Sequence, residues 1–150
     1  MRPESKGRIH IVAADPRRPP AINFNFLSSP IDAEVTVRAV RIARALMTAP
    51  AMALLQVTEI APGAGLTTDD DILDWVKKAA ETTYHPVGTC KMGSDAMAVV
   101  DAQLRVIGVE GRVADASIMP TLTSGNTNAP SIMIGEKAAD MVLKHAAGLQ

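Results

Sequence analysis

The ten residues from Tyr84 to Gly93 read YHPVGTCKMG and place a histidine before a proline, with the only cysteine of the chain five residues later. The residues alone allow three interpretations of His85. A metal ligand is one, but a single histidine near a single cysteine is a poor start for a metal site. A structural histidine held in a tight turn is the second, and it is the commonest role of any one histidine. A catalytic base is the third, because imidazole titrates near neutral pH.

Cys90 also has two interpretations. Its neighbour Lys91 would favour the thiolate that a nucleophile needs. A small, buried and unreactive side chain is the simpler reading of a lone cysteine. One cysteine in 150 residues forms no internal disulfide and no four-cysteine zinc site.

Size and composition predict one domain of the soluble globular class, with 47% apolar and 21% charged residues. The net charge of -1 and the four aromatic residues argue against nucleic acid as a partner. No apolar run reaches the roughly 18 residues of a membrane span, so no transmembrane segment is expected. No apolar stretch follows Met1, so we expect no signal peptide and a cytoplasmic protein.

The hydrophobic periods predict an α+β fold. Extended pieces are expected at residues 8–13 and 21–26, and short strands at 97–101, 104–107 and 112–114. A first helix should begin after Ser29 as N-cap and end before Pro50. Its apolar residues at helical spacing are Val35, Ala39, Ile42 and Leu46.

A second helix should begin after Thr68. The three aspartates that follow, residues 69–71, suit the positive end of a helix dipole and lack the alternating oxygens of a calcium loop. Its apolar stripe consists of Ile72, Trp75, Val76, Ala79 and Ala80.

A third helix is predicted at about residues 130–144, after the polar loop SGNTNAP at 124–130. This helix is apolar on nearly all sides, which is typical of a helix inside a protein. Asn126 and Asn128 can cap it. Alternatively, its N-terminus can bind an anion through unpaired N–H groups and the helix dipole.

These stretches together resemble a known family. The chain resembles the C-terminal region of the glucose-methanol-choline (GMC) flavoprotein oxidoreductases, with a choline dehydrogenase-like character. The resemblance runs in order over nearly the whole chain and rests on RPESKGR at 2–8, ADP at 14–16, YHPVGTCKMG at 84–93, VVD at 99–101, LRV at 104–106, VADASIMP at 113–120, SGNTNAP at 124–130 and IGEKAAD at 134–140.

The resemblance implies an FAD enzyme that oxidises the CH–OH group of a small-molecule alcohol by hydride transfer to flavin N5. It assigns His85 as the base and Asn126 as its catalytic partner. From the residues themselves, no metal site is expected. The residues that it places along the flavin are Asp115, Ala116, Asn126, Thr127, Asn128 and Pro130.

The same resemblance implies a division of the chain. Residues 1–83 would complete the sheet of the family's substrate domain, and residues 84–150 would close the FAD-binding domain. The GxGxxG unit that holds the ADP half of FAD does not occur in the sequence. The missing N-terminal flavin-binding region of the same protein is therefore the expected partner. The alternative is a truncated, non-catalytic fragment that functions only with a partner chain.

Overall fold

The computed structural model describes residues 2–148 and divides them into two units. The N-terminal unit contains residues 3–82, and the C-terminal unit contains Arg2 with residues 83–148. Within residues 2–148, the regular structure consists of three α-helices, two 3₁₀ helices and one two-stranded sheet, which confirms the predicted α+β class. The assignment of residues 1–83 and 84–150 to a substrate part and a flavin part stays a prediction.

The sheet of the N-terminal unit pairs β1 (Arg8–His10) with β2 (Ala21–Asn23) in antiparallel register, Ile9 opposite Ile22. Both strands are shorter than the predicted 8–13 and 21–26. The connection contains three prolines, which offer no N–H group to a ladder. Before β1, Gly7 lies so close to the partner segment that a Cβ atom there would be 2.2 Å from the Asn23 carbonyl oxygen.

Helix α1 (Pro30–Met47) begins where it was predicted. Ser29 occupies the N-cap position, but its hydroxyl makes no capping bond. Instead its N–H group donates to Ser5 Oγ at 3.0 Å. The Asp32 carboxylate in turn accepts the N–H groups of Glu4 at 2.9 Å and Ser5 at 2.7 Å. The segment before β1 is thereby tied to the first turn of α1.

Helix α2 (Asp69–Ala79) packs against α1. Thr68 caps it as predicted, because its hydroxyl accepts the Asp71 N–H group at 3.1 Å. The core between the two helices consists of Val37, Ile72 and Val76. The apolar residues of α1 singled out in the sequence lie on another face, and Val35, Ile42 and Leu46 are exposed. Within this unit, α1 therefore buries the side of Val37 and leaves the side of these residues exposed.

A 3₁₀ helix (Pro50–Leu55) follows α1, and the loop after it is held by Arg44. The guanidinium of Arg44 pairs with Glu59 at 2.8 Å and donates to the carbonyl groups of Leu66 at 2.8 Å and Gly63 at 3.1 Å. The hydrogen bond from Arg44, the charge of Arg44 and a hydrogen bond from the Gly63 N–H group lower the pKa of Glu59, although its partial burial opposes the shift. The side chain of Arg44 therefore points inward and fixes the entry to α2.

The C-terminal unit has a separate core, formed by Val100, Leu104, Ile118, Met119, Ile134 and Ala138. The strands predicted at 97–101, 104–107 and 112–114 do not form. Single bridges stand in their place, including Val100 opposite Val106 and Arg105 opposite Arg112. The Asp101 carboxylate closes a turn by accepting the N–H group of Arg105 at 3.0 Å, and Leu104 has φ of 63°. Such tight turns leave too few residues between them for a ladder.

Helix α3 (Asn128–Ala146) closes this unit and begins two residues earlier than predicted. The buried residues of α3 are Ile134 and Ala138. Its exposed apolar side chains are Ile132, Met133, Val142 and Leu143. None of the helices in residues 2–148 is long and apolar enough to cross a membrane.

Candidate active site

One hydrogen bond joins the two stretches that the sequence singled out. His85 Nδ1 lies 2.9 Å from Thr127 Oγ1, across 42 residues of chain. Thr127 is buried, with 8% of its surface exposed, and His85 is half-buried. Within residues 2–148 the other ring nitrogen of His85, Nε2, has no hydrogen bond. The histidine is thus held by one nitrogen and presents the other.

Backbone hydrogen bonds to residues 117 and 118 hold the stretch that contains His85 near the start of α3. The N–H groups of Cys90 and Met92 donate to the carbonyl groups of Ser117 at 3.0 Å and Ile118 at 2.8 Å. Ile118 belongs to the core that also contains Ile134 of α3. The histidine stretch and the start of α3 are therefore held by one core.

Asp115 and Ala116 lie at a short 3₁₀ turn (Ala116–Ile118) on the same backbone. The Asp115 carboxylate caps this turn by accepting the Ser117 N–H group at 2.7 Å. Ser117 also accepts the bond from Cys90, so the turn is tied directly to the histidine stretch. The structure brings this predicted flavin-lining segment into the same unit as His85.

Thr127, and neither of the two asparagines, occupies the N-cap position of α3. Its backbone is helical, with φ of -81° and ψ of -2°, and not extended as at an ordinary N-cap. Its hydroxyl makes no capping bond and is bound to His85. The first backbone bond of the helix runs from the Ser131 N–H group to the Thr127 carbonyl group at 3.0 Å. In the described chain, the N–H groups of Asn128 and Ala129 are left without a protein acceptor.

Asn126 is exposed, and its side chain makes no hydrogen bond to any other residue from 2 to 148. It directly precedes Thr127, so its amide lies one residue from the partner of His85. The loop before it is tied by Arg2, whose Nε donates to Ser124 Oγ at 2.8 Å. Asn128 and Pro130 lie in the first turn of α3. Asn126 is therefore a free amide at the edge of an ordered loop.

Cys90 is a free, half-buried thiol. Among the described residues, no group of three histidine, cysteine or carboxylate side chains is placed to hold a metal ion. The bond between His85 and Thr127 was not foreseen from the sequence, which grouped Thr127 with the cofactor-lining residues. The signal available was only that both residues lie in stretches carrying the same resemblance.

The chain is similar to known proteins over most of its length. The family model described as GMC oxidoreductase matches residues 3–135 of the chain. The chain belongs to the GMC oxidoreductase family. The resemblance seen in the sequence is thereby confirmed, and so is the interpretation of the fold as a part of the GMC fold.

Curated GMC relatives are similar over 95% of this chain. An alcohol dehydrogenase [acceptor] of Pseudomonas putida is 48% identical over 143 residues, and an oxygen-dependent choline dehydrogenase of Escherichia coli O45:K1 is 50% identical over 143 residues. These alignments cover 26% and 25% of the two relatives. The chain thus spans about a quarter of the length of the relatives that it matches.

Solved GMC structures share the fold. An FAD-dependent oxidoreductase from Chaetomium thermophilum superimposes with a TM-score of 0.90 and 34% identity, over 100% of this chain and 26% of that one. Pyridoxine 4-oxidase from Mesorbium loti gives a TM-score of 0.84 and 32% identity, over 93% of this chain and 27% of that one.

The GMC family is generally FAD-dependent, and the residues of the C-terminal unit fit the redox ring of such a cofactor. The uncapped first turn of α3 offers N–H donors and the positive end of a helix dipole, which suit an anionic oxygen or nitrogen. The exposed amide of Asn126 adds a further donor.

Proposed function

We propose that the chain supplies the C-terminal part of an FAD-dependent GMC oxidoreductase that acts on the CH–OH group of an alcohol. One observation carries the proposal. In this chain of the GMC family, His85 is held through Nδ1 by Thr127 at the start of α3, and its Nε2 makes no hydrogen bond to residues 2–148. The relatives named as choline and alcohol dehydrogenases support a small alcohol as substrate.

In this proposal His85 removes the hydroxyl proton of the alcohol at Nε2. A base is most effective when its pKa lies near the working pH, which is why imidazole suits this task. Asn126 donates an amide N–H group to the substrate oxygen, where negative charge develops as the proton leaves. Bound FAD would accept the hydride from the carbon atom.

The start of α3 has a separate task. The N–H groups of Asn128 and Ala129 and the dipole of α3 would face the edge of the ring that becomes negative on reduction. A helix N-terminus stabilises negative charge by about 0.3–1 kcal/mol when exposed and by up to ~2 kcal/mol when partly buried. Asp115 and Ala116 would lie along the ring, as their position beside the histidine stretch suggests.

His85→Ala in the whole protein that carries this chain tests the base. Turnover of the alcohol should fall by at least about 10²-fold, because general-base catalysis contributes that much. The flavin absorbance of the purified protein should stay unchanged. His145→Ala, at an exposed position near the end of α3, is the matched control and should leave both quantities unchanged. Unchanged turnover of the His85 variant would refute the assignment.

A second candidate function follows from the length of the match. Because the chain spans about a quarter of its relatives, it can be a non-catalytic piece that needs a partner carrying the ADP-binding half. A visible absorption spectrum after mixing the 150-residue chain with FAD and gel filtration separates the two cases. Retained flavin would show that this chain holds the ring by itself. A flavin-free chain would favour the need for a partner.

A further inference from the structure

The hydroxyl of Thr127 is bound to His85 and does not cap α3. A threonine at an N-cap position normally accepts a backbone N–H group of the first turn, and loss of that bond costs about 0.5–2 kcal/mol. In α3 this bond is absent, and the hydroxyl is bound to His85 Nδ1 at 2.9 Å. Thr68 at the start of α2 shows the ordinary arrangement in the same chain. Thr68 has an extended backbone with ψ of 157°, whereas Thr127 has ψ of -2°. Among residues 2–148, the bond to His85 is the hydrogen bond that the Thr127 hydroxyl makes.

The chemistry of the imidazole gives this bond a consequence. A neutral ring has one protonated and one bare nitrogen, and the bond made by the first fixes the state of the second. For Nε2 to accept a proton, Nδ1 must carry the hydrogen and Thr127 Oγ1 must accept it. The same hydrogen bond then persists after Nε2 is protonated, because both nitrogens of the cationic ring are donors.

We propose that Thr127 is a positioning residue that accepts the Nδ1–H group of His85 and so keeps Nε2 bare and presented to the substrate. The tautomer and its catalytic consequence rest on the proposed function of His85 as a base, whereas the hydrogen bond itself is observed. The burial of Thr127 protects this bond from competition by water. The side chain of Thr127 thus acts on the histidine and not directly on a cofactor.

The tautomer can be read directly. The chain contains only three histidines, so a sample labelled with ¹⁵N-histidine gives three imidazole patterns in long-range ¹H–¹⁵N correlation spectra. At a pH where the rings are neutral, we expect His85 to show a single tautomer with hydrogen on Nδ1. His10 and His145 are exposed and serve as internal references for a free imidazole.

Two substitutions at one site separate positioning from packing. Thr127→Val keeps the branched shape and removes the hydroxyl, and no capping bond is lost because none exists. His85 should then show the mixed pattern of the other two histidines. Thr127→Ser should restore the Nδ1–H tautomer. Thr123→Val removes a hydroxyl from the same loop, where it donates to the Gly125 carbonyl group, and should leave His85 unchanged.

Kinetics of the whole protein give the second readout. Thr127→Val should lower kcat by about 10- to 100-fold, the range found for partners that orient metal-bound histidines, and Thr127→Ser should recover most of it. An Nε2–H tautomer of His85 in the native chain, or a pattern unaffected by Thr127→Val, would overturn the positioning role. The proposed function fails separately, if His85→Ala leaves turnover unchanged whatever the tautomer.

Discussion

Gly88 lies three residues after His85 and adopts a conformation that other residues resist. Its φ is 85°, and a Cβ atom at this position would lie 3.3 Å from the Met119 carbonyl oxygen. The left-handed region costs a residue with a side chain roughly 1–2 kcal/mol. The contact with Met119 adds to this strain, since a backbone oxygen cannot rotate away. Gly88 therefore sets how closely the histidine stretch approaches the backbone of the core.

Gly88→Ala should destabilise the C-terminal unit by about 1–2 kcal/mol. Thermal unfolding followed by circular dichroism measures the loss. Gly65→Ala is the matched control, because a Cβ atom at Gly65 would meet no atom within 4 Å and its φ is not in the left-handed region. Equal stability of the Gly88 and Gly65 variants would contradict the strain assigned to Gly88.

The role of His85 illustrates the limit of residue-level prediction. Its sequence neighbours left a metal ligand, a structural histidine and a base open. The resemblance to the GMC family then favoured the base. Thr127 is 42 residues away, and no local pattern marks a hydrogen bond over that distance. Folding of both stretches onto one core decides which atom of the ring is bound.

At the scale of the elements, Asp32 joins the start of α1 to the segment before β1. Burial alone would raise the pKa of its carboxyl group, but hydrogen bonds from the Ser5 side chain and from the N–H groups of Glu4 and Ser5 outweigh this, and the pKa is lowered. A lowered pKa means that the folded state binds a proton less readily than the unfolded state. Asp32 therefore stabilises the fold above its ordinary pKa of 3.8, and this contribution is lost as the pH falls through the lowered value.

Asp32→Asn should reduce the free energy of unfolding by on the order of 1 kcal/mol at neutral pH, a value discounted for partial exposure. It should also flatten the loss of stability as the pH falls from 3.8 through the lowered pKa of Asp32. Urea unfolding at several pH values measures both effects. Asp70→Asn is the control, since Asp70 is exposed at the start of α2 and makes no hydrogen bond to any other described residue. If the unfolding free energy of the Asp32 variant depends on pH as in the native chain, the stabilising role assigned to the bonds between Asp32 and the segment before β1 is contradicted.

Helix existence was easier to predict than helix orientation. Ser29, Pro30 and Thr68 mark the starts of α1 and α2 through local chemistry, and both starts are confirmed. The buried face of α1 does not follow from its sequence, because α1 has apolar residues on two sides. Contact with α2 selects the side of Val37, and Arg44 on that side meets Glu59.

At the scale of the whole molecule, apolar side chains are exposed in each unit. In the N-terminal unit, Ile42 and Leu46 of α1 are 59% and 63% exposed. In the C-terminal unit, Leu143 of α3 is 70% exposed. Since the chain spans about a quarter of its relatives, we propose that the remaining part of the protein covers these faces. Exposed apolar faces of this kind promote association when their partner is absent.

Leu143→Glu should therefore reduce self-association of the 150-residue chain, because a charge on α3 opposes burial of that face. Light scattering and gel filtration over a range of concentrations measure the effect. Lys144→Glu, on the polar side of α3, is the control and should change association less. In the whole protein, where Leu143 should be covered, Leu143→Glu should lower the stability more than Lys144→Glu does. A freely soluble monomer for the native chain at all concentrations would contradict this prediction.

The sequence by itself determined the family, the three helices, the cap at Thr68, the start of α1 at Pro30, and the stretches that carry the candidate site. These depend on residues close to one another in the chain, so local patterns record them. Tertiary structure alone decided that the strands of the C-terminal unit shrink to single bridges, which face of α1 is buried, and that Thr127 binds His85 and leaves α3 uncapped. Each of these depends on which distant backbone and side-chain groups meet when the core closes, and hydrogen bonds between such groups have no period or spacing in the sequence.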